Sequence, residues 1–344
     1  MKKKWLKIVL CVLLAAIIIS GGTFFGIRLY QNITRGNNNS SAVDNQKVDS
    51  HAFPTVLGNP DDWEETFHDD FNFLDKRKWK IVTFEENNNI RKGAYYTDDK
   101  DVVFTKDGKL HISTRWKNGK NGEGWYTGYL KTSKVHDNEY NALGFKGFAQ
   151  NEGYFEIRCK VPAVYGMWSA FWTMPENDTA FTDKDILNST EDGLEIDIME
   201  SPYWHRIENE ARYSIKHVLH ADGYGDEKKT LATDHIYMPD LYSEYHTFAV
   251  LWEGDTYTFF IDGKQSWKTK HVVNGVNMGK CLVDEYLILS TEVGGTIENV
   301  VVYEGKVRNG DGEWEANWNG NPKKNNKEVS HDFIVDYIRC YKRK

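Results

Sequence analysis

Short segments that alternate apolar and polar residues dominate the chain after residue 57. The pattern is clear at residues 109–113, 154–158 and 247–252, and such alternation predicts β-strands with one buried face. Dipeptides typical of tight turns separate the segments: Asp107-Gly108, Asn118-Gly119, Asp262-Gly263 and Gly294-Gly295. The sequence therefore predicts an all-β protein, a two-sheet antiparallel β-jelly-roll sandwich. A concave face of such a sandwich is suited to hold a long ligand.

Aromatic residues and net charge narrow the possible partners. Aromatic residues make up 14% of the 344 residues. They can fill the core of a large sandwich, and they can also line a carbohydrate cleft, because the apolar face of a pyranose stacks on an indole. The net charge of -8 argues against nucleic acid as a partner.

The N-terminus predicts export across a membrane. Three lysines at residues 2–4 precede the uncharged residues 8–27, which are long enough to cross a bilayer as a helix. We predict a signal anchor over residues 1–30 and a flexible polar linker over residues 31–56, followed by the folded domain over residues 57–344. A cleaved signal peptide is the alternative. The domain would then be extracellular, either on a single-pass membrane protein or secreted.

The cysteine pattern hardly constrains the fold. Cys159, Cys281 and Cys340 lie outside the apolar N-terminal stretch, and three thiols cannot all pair. One disulfide is possible, and no cysteine spacing indicates a zinc site.

The segment 193–201 carries three acids in an alternating pattern. Glu195 and Asp197 should point to one face of a strand, and Ile196 and Ile198 to the other. Glu200 would then fall on the apolar face, where an unpaired carboxylate is costly. A β-bulge at residues 198–199 would return Glu200 to the polar face. Retaining glycosidases need two carboxyls about 5–5.5 Å apart, one as nucleophile and one as proton donor. An acidic solvent-exposed strand and a calcium site are the alternatives.

The run Glu195-Ile-Asp-Ile-Met-Glu200 resembles the signature of glycoside hydrolase family 16, in the bulged form found in laminarinase-like and agarase-like members. The likeness extends over most of residues 62–344 in the expected order. Its further landmarks are residues 69–71, 107–110, 153–158, 166–172, 245–252, 262–263, 287–289, 294–295 and 335–341.

This resemblance implies a β-jelly roll with a carbohydrate cleft and net retention of anomeric configuration. It implies that Glu195 is the nucleophile, that Glu200 is the acid/base, and that Asp197 is hydrogen-bonded to the nucleophile and tunes the pair. Catalysis of this kind needs no cofactor.

The resemblance also implies substrate-binding residues. Trp168 would stack on a sugar, unless it is a core aromatic, and His220 would line the cleft, unless it is an ordinary polar residue. Trp252 could face either the cleft or the core. Lys131 occupies a position on the cleft strand where an arginine is expected.

Many members of this family bind one structural calcium ion. The matching positions are Asp70, Gly108 and Asp336, and the alternative is an ordinary polar contact. Such an ion would stabilise the fold without taking part in the reaction.

The predicted function is that of a retaining endo-glycosidase, acting on β-1,3-glucan or mixed-linkage β-1,3-1,4-glucan as a monomer. The chain departs from the family pattern at Lys131, Ser169 and residues 290–292, and it has a polar insertion at residues 176–192. These departures leave a galactan such as agarose open as the substrate. A glucan transglycosylase and a non-catalytic carbohydrate-binding protein are the further alternatives.

Overall fold

A computed structural model describes residues 49–83, 93–134, 144–164, 167–176, 186–202, 213–223, 227–293 and 331–344. Residues 52–344 form one compact unit. The predicted anchor over residues 1–30, most of the predicted linker and the Gly294-Gly295 turn lie outside the described residues. Within the described ranges, no helix has the length and apolar character needed to cross a membrane.

The described residues form two 3-10 turns, Thr55–Leu57 and Pro60–Asp62, and otherwise β-strands. The strands of the first half are β1 (Trp63–Asp69), β2 (Lys80–Ile81), β3 (Ala94–Tyr96), β4 (Val103–Lys106), β5 (Lys109–Gly119), β6 (Gly122–Thr127), β7 (Tyr129–Lys131), β8 (Ala149–Gln150), β9 (Gly153–Lys160) and β10 (Met167–Pro175). Those of the second half are β11 (Glu195–Pro202), β12 (Ser214–Ala221), β13 (Lys229–Ala232), β14 (Ile236–Tyr237), β15 (His246–Glu253), β16 (Thr256–Ile261), β17 (Lys264–Lys270), β18 (Val272–Val273), β19 (Val276–Asn277), β20 (Glu285–Val293) and β21 (His331–Arg343).

Two large sheets contain nearly all of these strands. A ten-stranded sheet runs in the order β17-β16-β15-β9-β21-β5-β6-β3, with β1 beside β21 and β4 beside β5. A nine-stranded sheet runs in the order β13-β12-β11-β10-β20-β7-β2, with β14 beside β12 and β8 beside β20. Among the described strands, only β3 and β6 pair in parallel. The predicted all-β, two-sheet jelly-roll sandwich is confirmed.

The main core is built from apolar side chains of both sheets. Phe155 and Ile157 of β9 belong to it together with Phe171 of β10 and Leu287 of β20. On each of these strands the alternate residues point away from the core, which explains the period-two pattern of the sequence.

Two of the predicted turns have the backbone conformation that such turns require. Asp107 and Gly108, between β4 and β5, both have positive φ, 54° and 65°, as in a type I′ hairpin turn. Asp262 and Gly263, between β16 and β17, also both have positive φ. The turn predicted at Asn118-Gly119 is wrong by two residues. Both residues lie within β5, where Gly119 pairs with Gly122.

The folded unit extends beyond its predicted N-terminal boundary at residue 57. Arg339 donates a hydrogen bond to the Ala52 carbonyl, and the Phe53 ring packs edge-on against Tyr341 at 5.4 Å. Residues 52–57 thus cover part of the outer face of the ten-stranded sheet.

The three cysteines of this unit are buried free thiols. Cys159 and Cys340 lie in neighbouring strands and Cys281 precedes β20, and none of the three forms a disulfide. The disulfide that the sequence left open is therefore not formed between described residues.

Candidate active site

The outer face of the nine-stranded sheet gathers most of the predicted site residues. Directly opposite residues of antiparallel neighbours share a face, and Asp197 lies opposite Trp172 while Glu200 lies opposite Ala170. On the other side of β11, Glu195 lies opposite His220. We call this surface the cleft face; its members used below are Lys131, Trp168, Trp172, Glu195, Asp197, Glu200, His220, Ser290 and Glu292.

A β-bulge in β11 brings the third acid to this face. Asp197 pairs with Val218, and Glu200 pairs with Lys216, so three steps along β11 match two along β12. Ile198 and Met199 are both buried in the main core. The bulge predicted at residues 198–199 is confirmed, and it has the physical reason that the sequence indicated. Without the extra residue the Glu200 carboxylate would enter the apolar core.

Asp197 is the most enclosed of the three acids, with 3% of its surface exposed. Burial raises the pKa of Asp197 well above its usual range, and the carboxylates of Glu200 and Glu195 raise this pKa further. Asp197 also shares a hydrogen bond with Glu195. A neutral Asp197 that donates this hydrogen bond to an ionised Glu195 satisfies both observations.

His220 lies against the same pair of acids. Its Nε2 atom is 3.8 Å from Oε1 of Glu195 and 3.6 Å from Oδ2 of Asp197, and its Nδ1 atom lies 2.7 Å from Oγ1 of Thr230. Burial lowers the pKa of His220, although Glu195 opposes this shift. His220, Glu195 and Asp197 offer ligand atoms within 4.8 Å of one another, so this cluster could also hold a cation.

The cleft face contains aromatic and polar residues that the sequence prediction missed. Trp172 donates a hydrogen bond from Nε1 to Oγ of Ser290 at 3.1 Å, and Glu292 lies directly opposite Trp168. Trp172 follows Trp168 by four residues, an even spacing that assigns both to one face of a strand. This spacing could have identified Trp172 from the sequence as a residue on the same face as Trp168.

Two predicted substrate-binding residues besides His220, Trp168 and Lys131, also lie on the cleft face. Trp168 is partly exposed on β10. Lys131 lies opposite Ile288, and its ammonium group sits over the Tyr286 ring at 5.4 Å. Both are on the cleft face and therefore on the same side of the sheet as the acids.

Trp252 is not on the cleft face, and its assignment to substrate binding is wrong. Its side chain is 0% exposed and belongs to the main core. Its ring stacks with the rings of Phe155 and Tyr257, with centroids at 6.5 Å and 6.0 Å. A sugar cannot reach a side chain that has no exposed surface.

Two of the three residues predicted to bind calcium have other charged or polar partners in the structure. Asp336 forms an ion pair with Arg158, and Nζ of Lys109 lies 3.2 Å from the same carboxylate. Asp70 accepts a hydrogen bond from the Asn72 amide at 2.7 Å, and Gly108 lies near that same asparagine. Calcium binding stays a prediction, and the two cations on Asp336 count against it because a divalent cation would have to displace them.

Comparison with known proteins agrees with this arrangement. The family model described as "Glycosyl hydrolases family 16" matches residues 138–275. A curated relative, glucan endo-1,3-beta-glucosidase A1 of Niallia circulans, is 24% identical over 309 residues, which cover 84% of this chain and 39% of the relative. The chain therefore spans about two fifths of the length of that relative.

Two solved structures share the fold. The catalytic domain of an endo-1,3-beta-glucanase (laminarinase) from Thermotoga petrophila aligns with a TM-score of 0.55 and 21% identity, covering 82% of this chain and 99% of that one. A structure from work on endo-acting O-glycanases, which members of the human gut microbiota express to initiate mucin breakdown, aligns with a TM-score of 0.59 and 20% identity. It covers 83% of this chain and 93% of that one.

Proposed function

We propose, from the premise that this chain carries a glycosyl hydrolase family 16 domain, that it is a retaining endo-β-glucanase. The proposed substrate is β-1,3-glucan or mixed-linkage β-1,3-1,4-glucan. One observation carries the proposal: the bulge in β11 aligns Glu195, Asp197 and Glu200 on one face, beside Trp168 and Trp172. The names of the Niallia circulans and Thermotoga petrophila proteins support a β-1,3-glucan.

In the proposed reaction, the Glu195 carboxylate attacks the anomeric carbon while Glu200 gives a proton to the departing glycosidic oxygen. The bond from the anomeric carbon to this oxygen breaks, and an ester to Glu195 forms. Glu200, now ionised, removes a proton from a water molecule that attacks the same carbon and releases Glu195. Two inversions give net retention.

Asp197 takes part in this reaction through its proton. A hydrogen bond from neutral Asp197 stabilises the Glu195 carboxylate both before attack and when it leaves the sugar. It also removes one negative charge from a site where three carboxylates would repel. The raised pKa of Asp197 supports this role.

The aromatic and basic residues of the cleft face would bind the polymer. Trp168 offers a partly exposed indole for stacking on a pyranose. Trp172 is held in place by Ser290 and would form the floor beside the acids. Trp168→Ala should therefore raise KM more than it lowers kcat.

The test is the release of reducing ends by residues 49–344 from laminarin, from mixed-linkage β-glucan and from agarose. Glu195→Gln and Glu200→Gln should each lower kcat by about 10²-fold or more, with Glu253→Gln on the exposed end of β15 as the matched control.

NMR of the first product should show the β-anomer. An α-anomer would refute retention, and turnover of agarose alone would replace the glucan by a galactan. Binding of glucan without turnover would favour a carbohydrate-binding protein, and products longer than the starting oligosaccharide would identify a transglycosylase.

We further propose that the domain works outside the cell as a monomer, held at the membrane by residues 1–30. The lysines at residues 2–4 and the uncharged residues 8–27 support this location. Intact mass of the exported protein separates a retained anchor from a cleaved signal peptide. Light scattering of residues 49–344 tests the monomer.

A further inference from the structure

His217 lies on β12 opposite the bulge of the catalytic strand. Its neighbours Val218 and Lys216 pair with Asp197 and Glu200, so Ile198 and Met199 together face this one residue. Ile198 also has no register partner on the other side of β11, where Asp197 and Met199 pair with Trp172 and Phe171. In the described sheet, Ile198 therefore has no register partner on either neighbouring strand.

A carbonyl that a bulge removes from the ladder needs another donor when it is buried. The imidazole of His217 supplies it, because its Nδ1 atom lies 2.7 Å from the Ile198 carbonyl oxygen. A carbonyl can only accept, so Nδ1 carries the proton. The Nε2 atom, 2.9 Å from Oγ of Ser266, then accepts a hydrogen bond from that hydroxyl.

The ring of His217 is itself fixed by the opposite sheet. It stacks on Phe259 of β16 with centroids 4.6 Å apart, and Ser266 belongs to β17. Burial lowers the pKa of His217 to about 4, so the ring stays neutral near pH 7. The bulge carbonyl is thus tied through one rigid side chain to two strands of the ten-stranded sheet.

We propose that His217 is a positioning residue for the reaction: its Nδ1–H holds the Ile198 carbonyl and so keeps the bulge that aligns Glu200 with Glu195. This inference rests on the proposed function, since it assigns Glu200 as the acid/base. His217 does not touch the substrate. Its effect passes through the backbone of residues 198–200 to the Glu200 carboxylate.

Two variants separate this contact from the general packing of the ring. In His217→Asn the side-chain amide nitrogen occupies the δ position, so it can still donate to Ile198. In His217→Gln that nitrogen occupies the ε position and reaches toward Ser266 instead. Both variants lose the ring and its stacking on Phe259, which makes them matched controls for stability.

The assay is turnover of laminarin, or of whichever polymer the wild-type enzyme cleaves, with unfolding midpoints measured in parallel. We expect His217→Asn to keep kcat within about threefold, and His217→Gln to lower kcat by about tenfold or more with KM within about threefold, because small misplacements of a reacting group are costly. Equal kcat values for the two variants would overturn the proposal. A wild-type enzyme without turnover on any polymer would instead reject the proposed function.

A measurement on the wild-type protein applies even if neither variant folds. Nitrogen-15 NMR of histidine-labelled protein should show His217 as the neutral Nδ1–H tautomer between pH 6 and 8. Ser266→Ala assigns the signal, because it removes the partner of Nε2 alone. An Nε2–H tautomer would leave the Ile198 carbonyl without its donor and would overturn the proposal.

Discussion

Glu285 is a glutamate enclosed in the core at the start of β20, beside the residue that precedes the nucleophile. Its side chain is 0% exposed. It accepts hydrogen bonds from the Leu194 backbone N–H at 3.2 Å and from the Thr173 hydroxyl at 2.9 Å. Burial raises the pKa of Glu285 from an ordinary 4.5 to about 8. At neutral pH the folded protein therefore keeps this proton.

This shift lowers stability as pH rises. Below pH 4.5 both the folded and the unfolded chain hold the proton, and no cost arises. Above it the unfolded chain releases the proton and gains about 1.4 kcal/mol per pH unit until the folded pKa of about 8 is reached. The cost is about 3 kcal/mol at pH 7 and about 4 kcal/mol at pH 8. Glu285→Gln keeps the shape without the titration: its amide oxygen can accept from the Leu194 N–H and its amide nitrogen can donate to the Thr173 hydroxyl. It should therefore stabilise the protein by these amounts.

Urea unfolding of residues 49–344, followed by tryptophan fluorescence, tests this at pH 4.5, 7 and 8. The gain in the free energy of unfolding should be near zero at the lowest pH and should grow at the two higher ones. Glu244→Gln, on the exposed surface, is the matched control. A gain that does not change with pH, or a loss at pH 8, would refute the reasoning.

Three further predictions concern the rest of the fold. Trp252→Leu should lower the free energy of unfolding by about 3 kcal/mol through the cavity it leaves, and kcat should stay unchanged; a selective loss of substrate binding would restore the cleft assignment. A chain that begins at residue 57 should unfold at a lower urea concentration than one that begins at residue 49. It lacks the carbonyl that Arg339 binds and the ring on Tyr341, and equal midpoints would contradict this packing. Removing calcium with a chelator should shift Tm by less than about 1 °C, because Asp336 already pairs with two cations; a large drop would identify a calcium site.

The sheets and the bulge could be predicted from the sequence because each depends on a local pattern. Alternation identifies which residues share a face, and Asp107-Gly108 and Asp262-Gly263 supply the positive φ that hairpin turns need. The bulge followed from one conflict, a glutamate at a position that regular alternation would bury. Asn118-Gly119 offered the same turn signal, but β5 continues through it and the chain reverses after Gly119.

Contacts between distant strands account for what the sequence did not predict. Alternation places Trp252 on one face with Val250, but only the packing of β15 against the other sheet shows that this face is the core. The cations on Asp336 come from β5 and β9, far from it in the chain. No local pattern in the sequence identifies His217, because its partners lie on β11 and β17.

Two buried histidines and two buried acids contribute to the pH dependence of the stability of the domain. His217 and His271 both have a pKa lowered to about 4 by burial, so their stabilising effect is complete above pH 6.5 and is lost as pH falls toward 4. Glu285 and Asp197, whose pKa values are raised, act in the opposite direction and lower stability as pH rises above their unfolded values. Between about pH 4.5 and 6.5 the two pairs oppose each other, whereas above pH 6.5 the two histidines no longer contribute and Glu285 still does. We therefore expect a stability plateau at mildly acidic pH and a decline above it, to which Glu285 contributes about 1.4 kcal/mol per pH unit and which Glu285→Gln should reduce by that amount. Urea midpoints that rise steadily from pH 6.5 to 8 would show that these buried acids ionise in the folded protein.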